Sequence, residues 1–417
     1  MSVDSAKVRS IKKATPTRFQ PPPEAPREFK PTDLDVMYND ATKDDDIRET
    51  RSVLMHLLSQ VTIGMDLTKV TLPTHILERR SLLEFYASFF THADLFINIA
   101  SYGTPCDRMV ALVRWYMSAY HVSLKPKRPK KPYNPVLGEV FKCYYEISDN
   151  DPTSSSTADG RMPSRETIRS DLRFIAEQVS HQPPISAFYA ECPAMNITCT
   201  AHIHTKTQFR GTHVTVQLVG KGRIILHSHN EEYECTFPTV YIRSIFSTPW
   251  MEFGDSINIA CRHTEMSCEI KFITKGVFGG DANTIKGYIK NKGDTIAKLT
   301  GNWTDVVFIS QIVKDRKTKS GYGDNKVLFN VATATHNRMH VRSVEQQEPF
   351  ESRRIWANVT YHLFYENLEL ATMYKNKVEE AQRQERYNRE RLSVTWKPRE
   401  FVSESGGWVY KNRYKPR

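Results

Sequence analysis

The chain contains no C-x-x-C pair. Its seven cysteines stand at positions 106, 143, 192, 199, 235, 261 and 268, an odd and scattered set that suits reduced thiols better than a disulfide framework. No metal is expected. His202 with His204, and His227 with His229, place pairs on one strand face, but such H-x-H patterns are common among exposed strand positions. There is no run of about 18 uncharged apolar residues, the length a membrane-spanning helix needs. The nearest stretch, residues 82–100, is interrupted by Glu84, His92 and Asp94. Residues 1–13 lack the apolar core of a secretory signal, so a cytosolic location is expected. No G-x-S-x-G elbow accompanies Ser180, His181 and Glu177, which leaves an esterase reading without an activated nucleophile; no enzyme is expected. No RRM, KH, zinc-finger or helix-turn-helix signature accompanies the basic run at 125–131, and no nucleic-acid partner is expected. Internal repeats are also absent.

What is present is a 417-residue chain, 39% apolar, long enough for two or three average domains or one large β-rich one. Its net charge of +11 and pI near 9.2 favour polyanionic partners, whether nucleic acid, a phosphoinositide or an anionic leaflet, and charge alone does not choose among them. Residues 1–48, with Gln20-Pro21-Pro22-Pro23, read as a disordered Pro-rich and acidic leader, followed by one domain over 49–417.

From Ser52 the pattern changes. Val53, Leu54, Leu57, Leu58 and Val61 form one stripe of an amphipathic helix, which Gly64 is expected to end. Helical periodicity returns over residues 74–90, with Thr74 a candidate N-cap, and from Pro105 to about Tyr120, where proline suits a first turn. The two segments are expected to pair antiparallel. The prolines within 125–131 hold that basic segment extended. Residues 148–170 read as a solvated Ser/Thr-rich insertion.

Beyond residue 184 the period becomes two. Ile197, Cys199, Ala201 and Ile203 alternate with polar residues, as do Val214, Val216 and Leu218, and Met266, Cys268, Ile270 and Phe272. Turn signals at Asn230, Gly254-Asp255, Gly279-Gly280 and Asn291-Lys292-Gly293-Asp294 separate the strands. The fold class is therefore mainly β with added α, a large antiparallel sheet curled into a barrel. A charged helix over 367–391 and an extended tail through Trp396 follow, the tail packing its aromatics back.

Three separated stretches carry a family resemblance. Glu177-Gln178-Val179-Ser180-His181-Gln182-Pro183-Pro184 resembles the EQVSHHPP signature of the oxysterol-binding-protein-related lipid-transfer family, with Gln182 in place of the second histidine. Lys131-Pro132-Tyr133-Asn134-Pro135-Val136-Leu137-Gly138-Glu139 resembles its KPxNPxLGE motif, and Lys375-Asn376-Lys377-Val378-Glu379-Glu380-Ala381-Gln382-Arg383 is similar to its KxKxEExQR pattern. The resemblance spans about residues 50–400 and is greatest to the subgroup numbered nine to eleven.

The resemblance implies an incomplete antiparallel β-barrel enclosing a lipid tunnel, with an N-terminal helical lid at about 52–68 to which Val53, Leu54, Leu57, Leu58, Val61, Ile63 and Leu67 belong. It implies non-vesicular transfer between membranes, a sterol or phosphatidylserine being exchanged for phosphatidylinositol 4-phosphate without covalent chemistry or cofactor. Lys131, Asn134, His181, Gln182, Lys375, Glu379 and Arg383 would meet the phosphoinositide head group. The expected location is cytosolic and peripheral, at contacts of the endoplasmic reticulum with Golgi, endosome or plasma membrane. The alternative is a lipid sensor or tether that moves nothing. Within the leader, Tyr38, Asp40 and Ala41 match the centre of a degenerate FFAT motif, the peptide bound by the receptor VAP, although Met37 and Lys43 replace its acidic positions.

Overall fold

A computed structural model describes residues 37–38, 62–66, 74–124, 130–147, 171–245, 249–276, 279–313, 321–404 and 407–416. Val53, Leu54, Leu57, Leu58, Val61 and Leu67 of the expected lid, Asp40 and Ala41, the segment 125–129 and the insertion at 148–170 lie outside the described residues.

The chain enters through β1 (Leu77–Ser81), then α1 (Leu82–Ala87), α2 (Ala93–Ile97), α3 (Pro105–Ser118) and β2 (Lys131–Tyr133). The sheet proper begins with β3 (Val140–Glu146), β4 (Leu172–His181), β5 (Pro184–Cys192), β6 (Ile197–Phe209) and β7 (Val214–Leu226). It continues with β8 (Glu231–Cys235), β9 (Thr239–Arg243), β10 (Trp250–Cys261), β11 (Met266–Ile273), β12 (Thr284–Asn291), β13 (Asp294–Asn302) and β14 (Val306–Val313). After β15 (Gly321–Tyr322), β16 (Lys326–Asn330) and β17 (Arg338–His340) come three helices, α4 (Ser352–Ile355), α5 (Ala357–Phe364) and α6 (Leu368–Arg391). A last hairpin, β18 (Phe401–Glu404) and β19 (Gly407–Tyr410), ends the described chain.

Fifteen strands join one antiparallel sheet in the order β15-β14-β13-β12-β11-β10-β8-β7-β6-β5-β4-β3-β17, with β16 on β14 and β9 bridging β10 and β7. Among the described residues the two ends of this path do not pair, so the barrel is incomplete, as expected. Alternation sets the register. Ile197, Cys199, Ala201 and Ile203 are buried, as are Met266, Cys268, Ile270 and Phe272. Lys292 (φ 51°) and Gly293 (φ 87°) close the β12–β13 hairpin in the left-handed geometry that its sequence predicts. Gly254-Asp255 is different. It lies inside β10, with Asp255 at φ 68°, where the pairing partner changes from β9 to β11; the turn residues mark an irregular strand rather than a corner.

Aromatic side chains join the helical layer to the sheet. Phe90, packed with Phe96 and Trp115 of the helical layer, meets Phe174 and Phe188 from β4 and β5, and Tyr120 meets Phe253 and Phe272. All seven cysteines are free thiols, and every one except Cys106 is buried.

The helix expected over 74–90 forms only in part. Thr74 caps nothing; its Oγ1 is 2.6 Å from Thr372 Oγ1 on α6. Residues 77–81 are extended because β1 pairs in parallel with β2, Leu77 opposite Lys131 and Ser81 opposite Tyr133. The helical start passes to Ser81, whose hydroxyl accepts from the amide of Leu83. Pairing with a distant segment overrides local helical periodicity here. At α3 the local signals hold, with Pro105 in the first turn and Thr104 accepting from the Asp107 amide at 3.1 Å.

Part of the leader is also docked. Met37 is buried with Val344 and Ala357, Arg79 donates to the Met37 carbonyl at 2.9 Å, and the Tyr38 hydroxyl donates to the Arg353 carbonyl at 3.1 Å while accepting from Thr360. A weakly attached leader is not what these two residues show.

Arg353 has a second task. Its guanidinium, 4% exposed, grips the buried Glu84 carboxylate through Nε and NH2, with a shortest contact of 2.6 Å, and so ties α1 to α4. Glu84→Gln strands that charge, and urea unfolding should report a loss of about 3 kcal/mol. Combining Glu84→Leu with Arg353→Met should cost less than Glu84→Gln alone. An unchanged unfolding midpoint in Glu84→Gln would contradict this account.

Candidate functional site

The first motif, residues 131–139, is held by its own carboxylate. Glu139, with no exposure to water, accepts from the Ser81 hydroxyl, from the Val136 amide at 3.1 Å and from the Trp356 indole at 3.0 Å. Burial raises its pKa, and these donors oppose the shift. The motif then reaches the second one. Gly138 donates to the Gln178 carbonyl and Gln178 donates back to the Glu139 carbonyl, each at 2.9 Å. Gly138 is required twice over: its φ is +78°, and a Cβ there would lie 2.4 Å from Trp396 of the tail.

In the second motif, Glu177 is likewise fully buried. It accepts from the amides of Arg399, Glu400 and Phe401 at 2.7, 2.8 and 3.3 Å, pinning the tail across the barrel wall. Gln178 accepts from Ser186 and donates to the Ser180 carbonyl. Residues 181–184 form a tight hairpin. Gln182 and Pro183, joined by a cis peptide bond, connect β4 to β5, with His181 opposite Pro184. Gln182 is exposed at its tip, as is Asn134 in the first motif.

The third motif lies on α6, whose N-cap is Asn367, accepting from the Leu370 amide at 3.1 Å. Gln382 accepts from the Leu137 amide at 3.2 Å and so docks the helix on the first motif. Lys375 is 8% exposed and bonds Glu379 at 2.6 Å. Arg383 faces outward and pairs with Glu380, its neighbour at i−3, although Glu379 lies at i−4 to it and at i+4 to Lys375.

The three segments come within electrostatic reach of one another. Lys131 is reached by solvent but walled by protein, and lost hydration followed by the Lys375 ammonium holds its pKa below the ordinary lysine range, while Glu379 pulls it back. His181 is half-buried, and its buried Nδ1 makes no hydrogen bond among the described residues. Desolvation, then Arg386 and Arg389, lower its pKa, and Glu379 again opposes. Glu379 is therefore the shared neighbour of Lys131, Lys375 and His181.

Arg386 and Arg389 escape the motif reading. They follow Arg383 at spacings of three along the same helix, and continuing that stripe of charge would have reached them. Arg386 bonds Glu390 at 2.8 Å; Arg389 lies over Trp396 and bonds Glu385 at 3.3 Å. Such a rim, with two ammonium groups around one carboxylate and a neutral imidazole beside two guanidinium groups, suits a phosphate that carries more than one negative charge.

The lid junction stands apart. Gly64 donates to the Phe209 carbonyl at 2.8 Å, Phe209 donates to the Met65 carbonyl at 3.2 Å, and Asp66 bridges Gln208, so residues 64–66 extend the end of β6. Ile63 beside them is 75% exposed.

An open antiparallel barrel with a helical layer packed against it, and three sequence motifs gathered at one rim, defines the class. The chain belongs to the oxysterol-binding protein family, whose model, described as "Oxysterol-binding protein", matches residues 56–417. It is 41% identical to human oxysterol-binding protein-related protein 9 over 387 residues, covering 91% of this chain and 51% of that protein. It is 39% identical to human oxysterol-binding protein-related protein 10, over 88% of this chain and 50% of that one. The chain thus spans about half the length of these curated relatives. Among solved structures, the Osh1 ORD domain in complex with ergosterol matches with a TM-score of 0.70 at 24% identity, over 92% of this chain and 94% of that one. The Osh3 ORD in complex with PI(4)P from Saccharomyces cerevisiae matches with a TM-score of 0.63 at 21% identity, over 89% and 93%. Both establish likeness of fold.

Glu177→Gln should free the tail, because an amide cannot accept from three backbone donors without turning its own NH2 toward one of them. A stability loss of about 2 kcal/mol is expected, with faster tryptic cleavage after Arg399. Cleavage at the native rate would show that the tail is held by other contacts.

Proposed function

We propose that the barrel binds a phosphoinositide monophosphate by its head group at this rim and carries it between membranes in exchange for a sterol or phosphatidylserine. The observation that carries the reading is the clustering of Lys131, Lys375 and His181 around Glu379, with an orphan imidazole nitrogen beside two further arginines. A lipid's acyl chain removed from a bilayer leaves one apolar phase for another, so burying it in a barrel gains little of the roughly 0.8 kcal/mol per methylene that transfer from water provides. Head-group contacts then decide which lipid is lifted. Family membership and the PI(4)P and ergosterol named for the structural relatives support these two cargo classes. Among the described residues no helix is long and apolar enough to cross a membrane, and a peripheral role at membrane contact sites follows from the cargo. Recruitment by VAP through Tyr38, Asp40 and Ala41 forms no part of this reading, because the Tyr38 hydroxyl is committed to Arg353 and Thr360.

Incubation with mixed liposomes followed by lipid mass spectrometry tests cargo and binding together; recovery of sterol alone or of no lipid would overturn the phosphoinositide assignment. Lys375→Ala should weaken phosphatidylinositol 4-phosphate extraction by about tenfold or more, the value of a lost charge-assisted contact. Gln182→His restores a chargeable donor and should strengthen extraction several-fold, about 1 kcal/mol.

Protonation gives a separate readout. Since the folded pKa of His181 lies below its unfolded value near 6.5, the free protein loses stability as pH falls through that value, and His181→Gln should remove this component. A bound phosphate reverses the local field and favours the imidazolium. Calorimetry near pH 6.5 in buffers of different ionisation enthalpy should therefore show more proton uptake for the native chain than for His181→Gln; equal uptake would exclude His181 from the phosphate site.

A further inference from the structure

Away from the rim, at the junction between the helical layer and the last strands of the sheet, three histidines from distant parts of the chain converge. His92 stands at the N-cap of α2, His121 opens the short 3-10 helix after α3, and His336 lies in the loop between β16 and β17. One ring nitrogen from each lies within 4.8 Å of the other two. His92 and His121 are buried, whereas His336 is exposed.

The loop is fastened to the His92 turn. The Asn337 amide donates to the Thr91 carbonyl at 2.9 Å, and the Asp94 amide donates to the Asn337 side chain at 3.0 Å. His92 Nδ1 lies 2.6 Å from the Thr335 carbonyl oxygen. A carbonyl only accepts, so Nδ1 carries the proton and Nε2 offers its lone pair. That nitrogen lies 2.7 Å from His121 Nε2. Phe329 packs against both rings, with centroids 5.5 and 5.8 Å away, and forms an apolar wall.

We propose that His92, His121 and His336 form a binding site for a divalent transition-metal ion, with zinc the favoured occupant. Three neutral imidazoles are a ligand set for such ions, and a backbone carbonyl holding the far nitrogen of a ligating histidine is the usual orienting contact. Zinc–nitrogen bonds of about 2.0–2.1 Å in tetrahedral geometry place ligand nitrogens about 3.3 Å apart. The His92–His121 pair must open by about half an ångström, and His121 must move its proton from Nε2 to Nδ1, a tautomer change that keeps both rings neutral. The exposed side at His336 supplies an entry path and leaves the fourth position to water. Bound there, the ion would brace the helical layer against the β16–β17 loop. The site is independent of the cationic rim and of any lipid.

The test uses the full chain, stripped with a chelator and desalted, then titrated with cobalt(II) and zinc(II) chloride. One equivalent of cobalt should bind and give the intense visible bands of a four-coordinate ion, zinc should displace it, and zinc should raise the thermal midpoint. His336→Ala, on the exposed side, should fold normally but lose the cobalt bands and the zinc-dependent shift, while His204→Ala should retain both. Substoichiometric cobalt binding, bands typical of a six-coordinate hydrated ion, or a response unchanged by His336→Ala would overturn the proposal.

Discussion

Lys131 and Lys375 repel one another, and the rim exists because the fold holds them close in spite of it. Lost hydration lowers the pKa of Lys131 first, and the Lys375 ammonium adds to it, the direction that a neighbouring cation must give. Neither lysine could be kept in place by its own charge. Lys131 is placed by the parallel β1–β2 pair, and Lys375 by α6, which is docked through Gln382 onto the same motif loop. The salt bridge between α1 and α4 fixes the distance between the segments that carry these two elements. Glu379 softens the repulsion without cancelling it, which leaves a net cationic field for an anion to satisfy.

This division of labour runs through each signature motif. In the first, Lys131 and Asn134 face outward, while Glu139 spends its carboxylate on three donors inside the protein. In the octet, His181 and Gln182 are at the hairpin end, while Glu177 holds three tail amides and Gln178 locks to Ser186. Replacing a buried carboxylate that accepts several hydrogen bonds leaves several donors unsatisfied at once. In these two motifs the buried carboxylates are scaffolding, and the residues left at the surface are those proposed to meet the head group.

How much of this was legible follows from where the information lay. The alternation in β6 and β11, the turn at Asn291-Lys292-Gly293-Asp294, and the helical start at Pro105 are local, and the structure has each of them. Residues 77–81 were misread because their extended state depends on β2, some fifty residues downstream, and no short window contains it. Gly254-Asp255 carries turn chemistry, but its positive φ is used inside a strand where the pairing partner changes. Tyr38 looked like a peptide anchor, yet its partners, Arg353 and Thr360, are more than three hundred residues away. Arg386 and Arg389 had the helical spacing needed to find them; what was missing was the position of His181 in space. The His92, His121 and His336 cluster had no sequence signal, since its members share neither strand nor helix.

Gln182 sharpens what the rim can do. A histidine at that position would add a second group able to charge when a phosphate approaches, whereas glutamine offers fixed neutral donors. The remaining titratable donor is His181, held neutral by desolvation and by Arg386 and Arg389 until an anion offsets them. If the rim takes a phosphate as proposed, its binding energy comes mainly from permanent cations, with one proton-coupled contact in reserve. Permanent cations attract any anionic head group, while the proton-coupled contact rewards a phosphate that carries a second charge. On the proposed reading, discrimination among anionic lipids falls on His181 and on the geometry of Lys131 and Lys375, and glutamine at position 182 should weaken grip more than it alters choice.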